Sequence, residues 1–357
     1  HYPYGVSLLG NALTPFDGFM GIFLLKFLTL IEAHNFIVVF SFVVGGLTAF
    51  LLAYYFTRSY WGSIIAGFIF TFSNYNFAHA EGHLHLVSLE WIPLFVLLWY
   101  MLVTNPRIIT GIACAIVLFA ALLCTHYYFL YSVLIACIIL IWRAIQKKNI
   151  FFFLEEEHLL PLTAFFVGLL VTSGPVIVSF LVSNSCDPYL GANLPEQYSL
   201  DLLAPLIPGG HWRFAHLTHS YWSVLPGNIH ESSVHMGLAV LYVLVFTWLR
   251  RRNFSPPGLR LWYLVLIFFT IMGLGPVLHI WGWEVPFIKL PYMLFEKVFP
   301  VLKVSGNPVR MMVMTMLSAG VIWAMGFKIQ RKRTSGRLLA HNPFCRTFTE
   351  TPSLLPG

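Results

Sequence analysis

Histidine, carboxylate and guanidinium positions are where this sequence could do chemistry. His79, His83 and His85 fall close together in HAEGHLHLVSLEWIP. Neutral imidazoles are metal ligands and protonated ones pair with phosphate, so these three are the candidate metal group, with His83 and His85 also candidates for a phosphate or substrate. His79 and His83 share a face only if a helix continues through Gly82. Glu90 sits about one turn inside an apolar run, where an ionisable group is costly and needs water, a partner or a polar cavity opening outward. Arg310, in SGNPVR, opens another apolar run. Its planar guanidinium can hold a phosphate bidentately or anchor to lipid headgroups. The stretch 184–235 carries Asp187, Glu196, Asp201, Arg213 and Glu231 among Trp212, Tyr221 and Trp222. Carboxylates accept hydrogen bonds from sugar hydroxyls and aromatic faces stack on sugar rings, which makes Asp201, Arg213 and Trp212 candidates for substrate contact. The sequence has no phosphate-binding glycine loop, zinc-protease helix motif or nucleophile elbow.

The elements that must position these groups are set by composition. Of 357 residues 58% are hydrophobic and 10% charged, with mean hydropathy +0.77. Globular chains carry roughly 45–50% apolar and about 25% charged residues. Lipid is therefore the solvent for most side chains, and backbone groups in lipid need internal partners, which leaves helices or a closed barrel. The apolar runs are continuous and lack period-2 alternation, so the reading is an all-α, polytopic transmembrane helical bundle. The net charge of +7 sits in short clusters between apolar runs and does not point to nucleic acid. The five cysteines form no disulfide framework.

Nine runs stand out, at 35–56, 61–79, 86–103, 108–124, 127–142, 159–183, 236–249, 261–281 and 309–327. At roughly 20 residues per span they predict about nine spans. Residues 108–142 as one helix would be about 50 Å long, too long for a core of about 30 Å, so a break is expected near Thr125-His126-Tyr127. Pro161 and Pro175 fall inside the sixth run and should kink it. Lys and Arg concentrate in alternate loops, around Arg58, Arg107, Arg143 to Lys148, Arg250 to Arg260 and Lys328 to Arg337. By the positive-inside rule those loops are cytoplasmic, the start of the chain is outside and its end inside. Outer loops then cover 1–34, 184–235 and 282–308, the transmembrane domain covers 1–327, and the basic stretch 328–357 reads as a disordered cytoplasmic tail. The apolar stretch GFMGIFLLKFLTLIEA is too short to span and reads as an interfacial helix. This topology puts 12 of the 14 histidines at or near the outer face.

An ordered series of motifs carries a resemblance. HYPYGVSLLGNALTPF, FTFSNYNFAHAEGHLHLVSLEWIPL, YSLDLLAPLIPGGHW, ESSVHMGLAVL, GLGPVLHIWG and VFPVLKVSGNPVRMMVM together resemble bacterial GT-C-type polytopic membrane glycosyltransferases. The resemblance implies a GT-C-like fold in the bacterial cytoplasmic (inner) membrane. It also implies transfer of a sugar from a polyprenyl-phosphate donor to a glycan, lipid or protein acceptor on the outer face, with a divalent ion such as Mg or Mn as cofactor. In that superfamily an acid in the first outer loop is the base or a metal ligand. The chain opens HYPYG without Met, so that acid is expected upstream of residue 1, with Asp17 as its stand-in here. A transporter or flippase of a lipid-linked sugar and a non-catalytic scaffold or degenerate fragment are the competing readings. Ionisable groups crowd the outer face and few lie deep in spans, which suits chemistry on one side better than a path across.

Overall fold

The computed structural model describes residues 14–186, 193–251, 256–298, 302 and 306–341. Pro15–Leu24 (α1), Leu30–Thr57 (α2) and Tyr60–Thr71 (α3) are followed by two short helices, Asn74–Ala80 (α4) and Leu84–Val87 (α5). Trp91–Thr104 (α6), Ile108–Cys124 (α7), His126–Lys147 (α8) and Glu156–Cys186 (α9) come next. The long loop holds His219–Trp222 (α10) and Ile229–Ser232 (α11). Leu238–Arg250 (α12) and Leu259–Gly273 (α13) precede a hairpin of Val277–Ile280 (β1) and Trp283–Lys289 (β2), then Tyr292–Val298 (α14) and Met312–His341 (α15).

The chain is a predominantly helical membrane protein. Among the described residues, five stretches are long and apolar enough to cross a bilayer: Leu30–Thr57, Leu84–Thr104, His126–Lys147, Glu156–Ser185 and Pro308–Phe327. The four remaining predicted runs hold shorter helices, α3, α7, α12 and α13. Each is below the roughly 20 residues that a perpendicular span needs. Large apolar side chains such as Val43, Leu170, Val171 and Leu249 stand exposed on the bundle surface, as lipid-facing positions do. Some polar groups inside the bundle close on backbone carbonyls. The Trp99 indole donates to Ala136 O at 3.0 Å, and the Thr57 hydroxyl to Ala53 O at 2.8 Å.

The last span is the axis. The window Pro308–Phe327 is 94% buried, packed by α2, α3, α12 and α13, whereas α9 is 11% buried and leans mainly on α7. Small residues let these helices approach closely. A Cβ on Gly67 would stand 2.5 Å from the Gly46 carbonyl oxygen where α3 crosses α2, and one on Gly111 would run into the Pro161 carbonyl oxygen where α7 meets α9.

Several expectations shift. The break predicted near Thr125 is found: α7 ends at Cys124 and α8 begins at His126. The apolar stretch 18–33 is not one interfacial helix. It divides at 25–29, because the Thr29 hydroxyl and the Glu32 carboxylate cap each other's backbone amides and start α2 afresh. The run 61–79 breaks after Thr71, where Ser73 caps α4. The run 261–281 ends its helix at Gly273, and residues 277–280 leave it to pair antiparallel with β2, a small exception to an all-α fold. Trp281 and Gly282 both take positive φ at that turn, the handedness a tight hairpin needs. Pro161 and Pro175 lie inside one continuous helix. The expected disordered tail is helical backbone as far as His341, an extension of α15, while residues 342–357 and the acid Asp187 lie outside the described residues.

Candidate functional site

Two buried polar clusters lie along one connector, residues 74–90, at the end of the bundle where α3 stops and α6 begins. The first gathers around Arg310. Its Nε and Nη2 donate to Glu231 Oε1 at 2.9 and 2.5 Å, and its guanidinium lies 4.8 Å from the centre of the Tyr127 ring. Turned so that its oxygen faces the guanidinium, the Asn307 amide accepts from Nη2 at 2.6 Å and from Nε at 3.0 Å. Asn228 caps α11 and so presents Glu231, while the one turn of 3₁₀ helix at Pro308–Met311 presents Arg310. The guanidinium predicted to hold a donor phosphate is thus already matched by a carboxylate.

His79 is fully buried beside this pair, with Nε2 3.6 Å from Glu231 Oε2 and neither ring nitrogen hydrogen-bonded. Burial, and then the nearby Arg310 charge, hold its pKa well below the ordinary 6.5, so the ring is neutral near pH 7. The predicted trio does come together as rings: His79 to His83 is 5.4 Å between centroids and His83 to His85 is 5.9 Å. The row continues through partners the sequence reading did not choose, His83 to His230 at 5.8 Å and His230 to His211 at 4.6 Å. Glu81 stands at its end, with Oε1 3.2 Å from His211 Nδ1 and Oε2 3.9 Å from His230 Nδ1. The ligating atoms of Glu81, His211 and His230 lie within 4.8 Å of one another, close enough to share an ion, and this group contains none of the expected His79, His83 and His85.

The second cluster is acidic. Asp17 on α1, Glu90 at the start of α6 and Cys124 at the end of α7 bring one ligating atom each within 4.8 Å of the others, and all three are buried. The Ser88 hydroxyl donates to Asp17 Oδ2 at 2.8 Å. Asp17 Oδ1 and both Glu90 oxygens carry no well-formed hydrogen bond, and the buried Ser41 and Thr125 hydroxyls beside this region are in the same position. Burial raises the Asp17 pKa from its ordinary 3.8 to about 6, against the lowering effect of the Ser88 hydroxyl. A carboxylate pair without a countercharge in an apolar setting is a place for a proton or a cation. Its oxygen donors suit a hard ion such as Mg or Mn. Asp17 and Glu90 had been named separately in the sequence reading; Cys124 had no signal beyond its apolar run.

Asp201 does different work from the sugar contact expected of it. Oδ1 accepts from the Tyr221 hydroxyl and the Leu203 amide, each at 2.9 Å, and Oδ2 accepts from the Gly282 amide at 2.8 Å. It ties the long loop to the β-hairpin. Trp212 and Arg213 both lie against the Phe214 ring.

Beside the connector runs an apolar groove of about 460 Å³ between α2 and α3, lined among others by Phe42, Leu47, Phe50, Phe68 and Phe72. Rings continue it to α4: Phe42 and Phe72 lie 5.5 and 5.7 Å from Phe77. On another face of the same α2 segment, the Thr48 hydroxyl donates to the Glu90 carbonyl at 2.9 Å.

These features define a helical membrane protein with a buried polar site at one end of its bundle. Residues 22–340 match the family described as Domain of unknown function (DUF6311), and the chain belongs to that family. No curated protein and no solved structure matches it.

Proposed function

We propose that the protein is a membrane glycosyltransferase that moves a sugar from a polyprenyl-phosphate donor to an acceptor on the outer face of a bacterial cytoplasmic membrane, with a GT-C-like bundle of about nine spans. One observation carries this reading: an apolar groove along α2 and α3 ends at the connector that holds His79, His83, His85 and Glu90, whose carboxylate is buried without a hydrogen bond. A prenyl chain fits the groove, and the phosphate then meets His83 and His85 on the connector. Arg310, neutralised by Glu231, holds the wall of the site and does not grip the donor.

In the reaction the acceptor hydroxyl oxygen bonds to the anomeric carbon, the bond from that carbon to the phosphate oxygen breaks, and the lipid phosphate leaves with the electron pair. The hydroxyl proton passes to Asp17, whose pKa near 6 suits a base working near neutrality. Where a hard divalent ion takes part, Asp17 and Glu90 would hold it, and it would supply charge neutralisation at the donor phosphate. Helix α1 covers the pair, so substrate entry requires α1 to lift from α2 and α7, on which it rests.

The test is sugar transfer by the protein in vesicles from a panel of polyprenyl-phosphate sugars, with and without Mg or Mn, read by mass spectrometry. Transfer should appear with one donor and fall at least about 100-fold in Asp17→Asn, as loss of a general base does. Transfer by the wild type that survives in Asp17→Asn removes Asp17 from the role of base. No transfer from any donor sinks the reading.

A further inference from the structure

We propose that Glu81, His211 and His230 form a binding site for a zinc-class divalent ion at the outer surface, separate from the acidic pair. The three residues come from the end of α4, the long loop and α11, so the fold, not local sequence, assembles them. Their ligating atoms all lie within 4.8 Å of one another. In a tetrahedral site with bonds of about 2.0–2.1 Å, ligand atoms stand roughly 3.3 Å apart. His211 Nδ1 and Glu81 Oε1 are already at that spacing, 3.2 Å. The His230 ring lies beside that of His211 with centroids 4.6 Å apart. The Glu81 side chain is 60% exposed and free to swing onto an ion.

Ligand chemistry sets the class of ion. Two imidazoles with one carboxylate suit zinc and its transition-metal neighbours, while Mg and Ca take oxygen. His230 Nδ1 lies 3.1 Å from the Ala78 carbonyl and 3.9 Å from Glu81 Oε2, so His230 binds an ion through Nδ1 only by giving up that carbonyl. Around the group, His211 Nε2 and His83 Nδ1 are buried without a hydrogen bond, so ring edges here lack a partner that an ion and its bound water would supply. Three protein ligands, one of them an exposed carboxylate, leave a coordination position open to solvent, the arrangement of reactive zinc sites as opposed to closed structural ones.

Binding of Co²⁺ to the purified full chain in detergent tests this, since tetrahedral cobalt absorbs in the visible. One equivalent should bind, give tetrahedral bands and be displaced by Zn²⁺ but not by Mg²⁺. His211→Ala and His230→Ala should each weaken binding at least about tenfold, and His219→Ala, an exposed histidine of the same loop, should leave it unchanged. Glu81→Gln serves as a third variant at an exposed side chain should either histidine variant fail to fold. Absence of stoichiometric binding, equal binding by all variants, or displacement by Mg²⁺ overturns the assignment. The readout is binding alone, so it stands or falls independently of sugar transfer.

Discussion

Glu231 and Arg310 meet although they stand 79 positions apart, and removing the carboxylate charge would leave a buried guanidinium unmatched. Breaking one side of a buried pair costs roughly 3–5 kcal/mol. Glu231→Gln should therefore lower the melting temperature in detergent sharply, and Glu231→Gln with Arg310→Met should recover most of the loss. A double variant as unstable as the single one would show that the charges matter for more than each other. Asp17 gives a pH signature. Its pKa rises from 3.8 to about 6 on folding, so between those values the folded protein binds a proton that the unfolded chain does not. Stability is fullest below this window and declines as pH rises through it. Wild-type melting temperature should thus fall relative to Asp17→Asn between pH 4 and 6 and then run parallel; a constant difference across that range refutes the buried-carboxyl account. Sequence alone flagged Glu90, Arg310 and the histidines because ionisable groups next to apolar runs are conspicuous, while Asp17 came from the family resemblance. It did not pair Glu231 with Arg310, nor His211 with Glu81, since nothing in spacing encodes contacts across such separations.

Among the elements, the junction at 25–29 shows how a local signal was available and overlooked. Thr29 and Glu32 have capping-box spacing, yet the surrounding leucines and phenylalanines read as one apolar stretch. Thr29→Ala should cost about 1 kcal/mol, seen as faster backbone amide exchange in the first turn of α2. Tight crossings are a harsher constraint. Gly111→Val would drive a side chain into the Pro161 carbonyl, so it should separate α9 from α7 and cut the yield of folded protein, whereas Gly18→Ala, with open space around it, should be silent. The break at Thr125 was legible because a single helix through 108–142 exceeds the membrane thickness. The β-hairpin was not, since VLHI is as apolar as the helix before it and only Gly282 hints at a turn. The short lengths of α3 and α13 follow from polar or glycine positions that hydropathy averages away.

For the molecule as a whole, the orientation read from Lys and Arg predicts which loops face outward. On a cysteine-free background, Ser223→Cys should react with an impermeant maleimide in intact cells and Asn149→Cys only after permeabilisation; the opposite pattern inverts the topology. The bundle class was readable from composition, because so apolar a chain has no other solvent than lipid. The order in which the bundle can be completed was not, and it follows from the buried axis. Pro308–Phe327 is made after every helix it packs against, yet it fills the space between them and carries the partner of Glu231. During synthesis the earlier helices enter the bilayer around a vacancy, with a carboxylate awaiting its cation. Until this segment arrives, α2, α3, α12 and α13 expose to lipid the faces meant for it, which makes the unfinished chain a natural client for membrane chaperones and quality-control proteases. A stop codon just before residue 308 would accordingly remove the keystone of the assembly, and the cell should clear the product instead of keeping a slightly shorter protein.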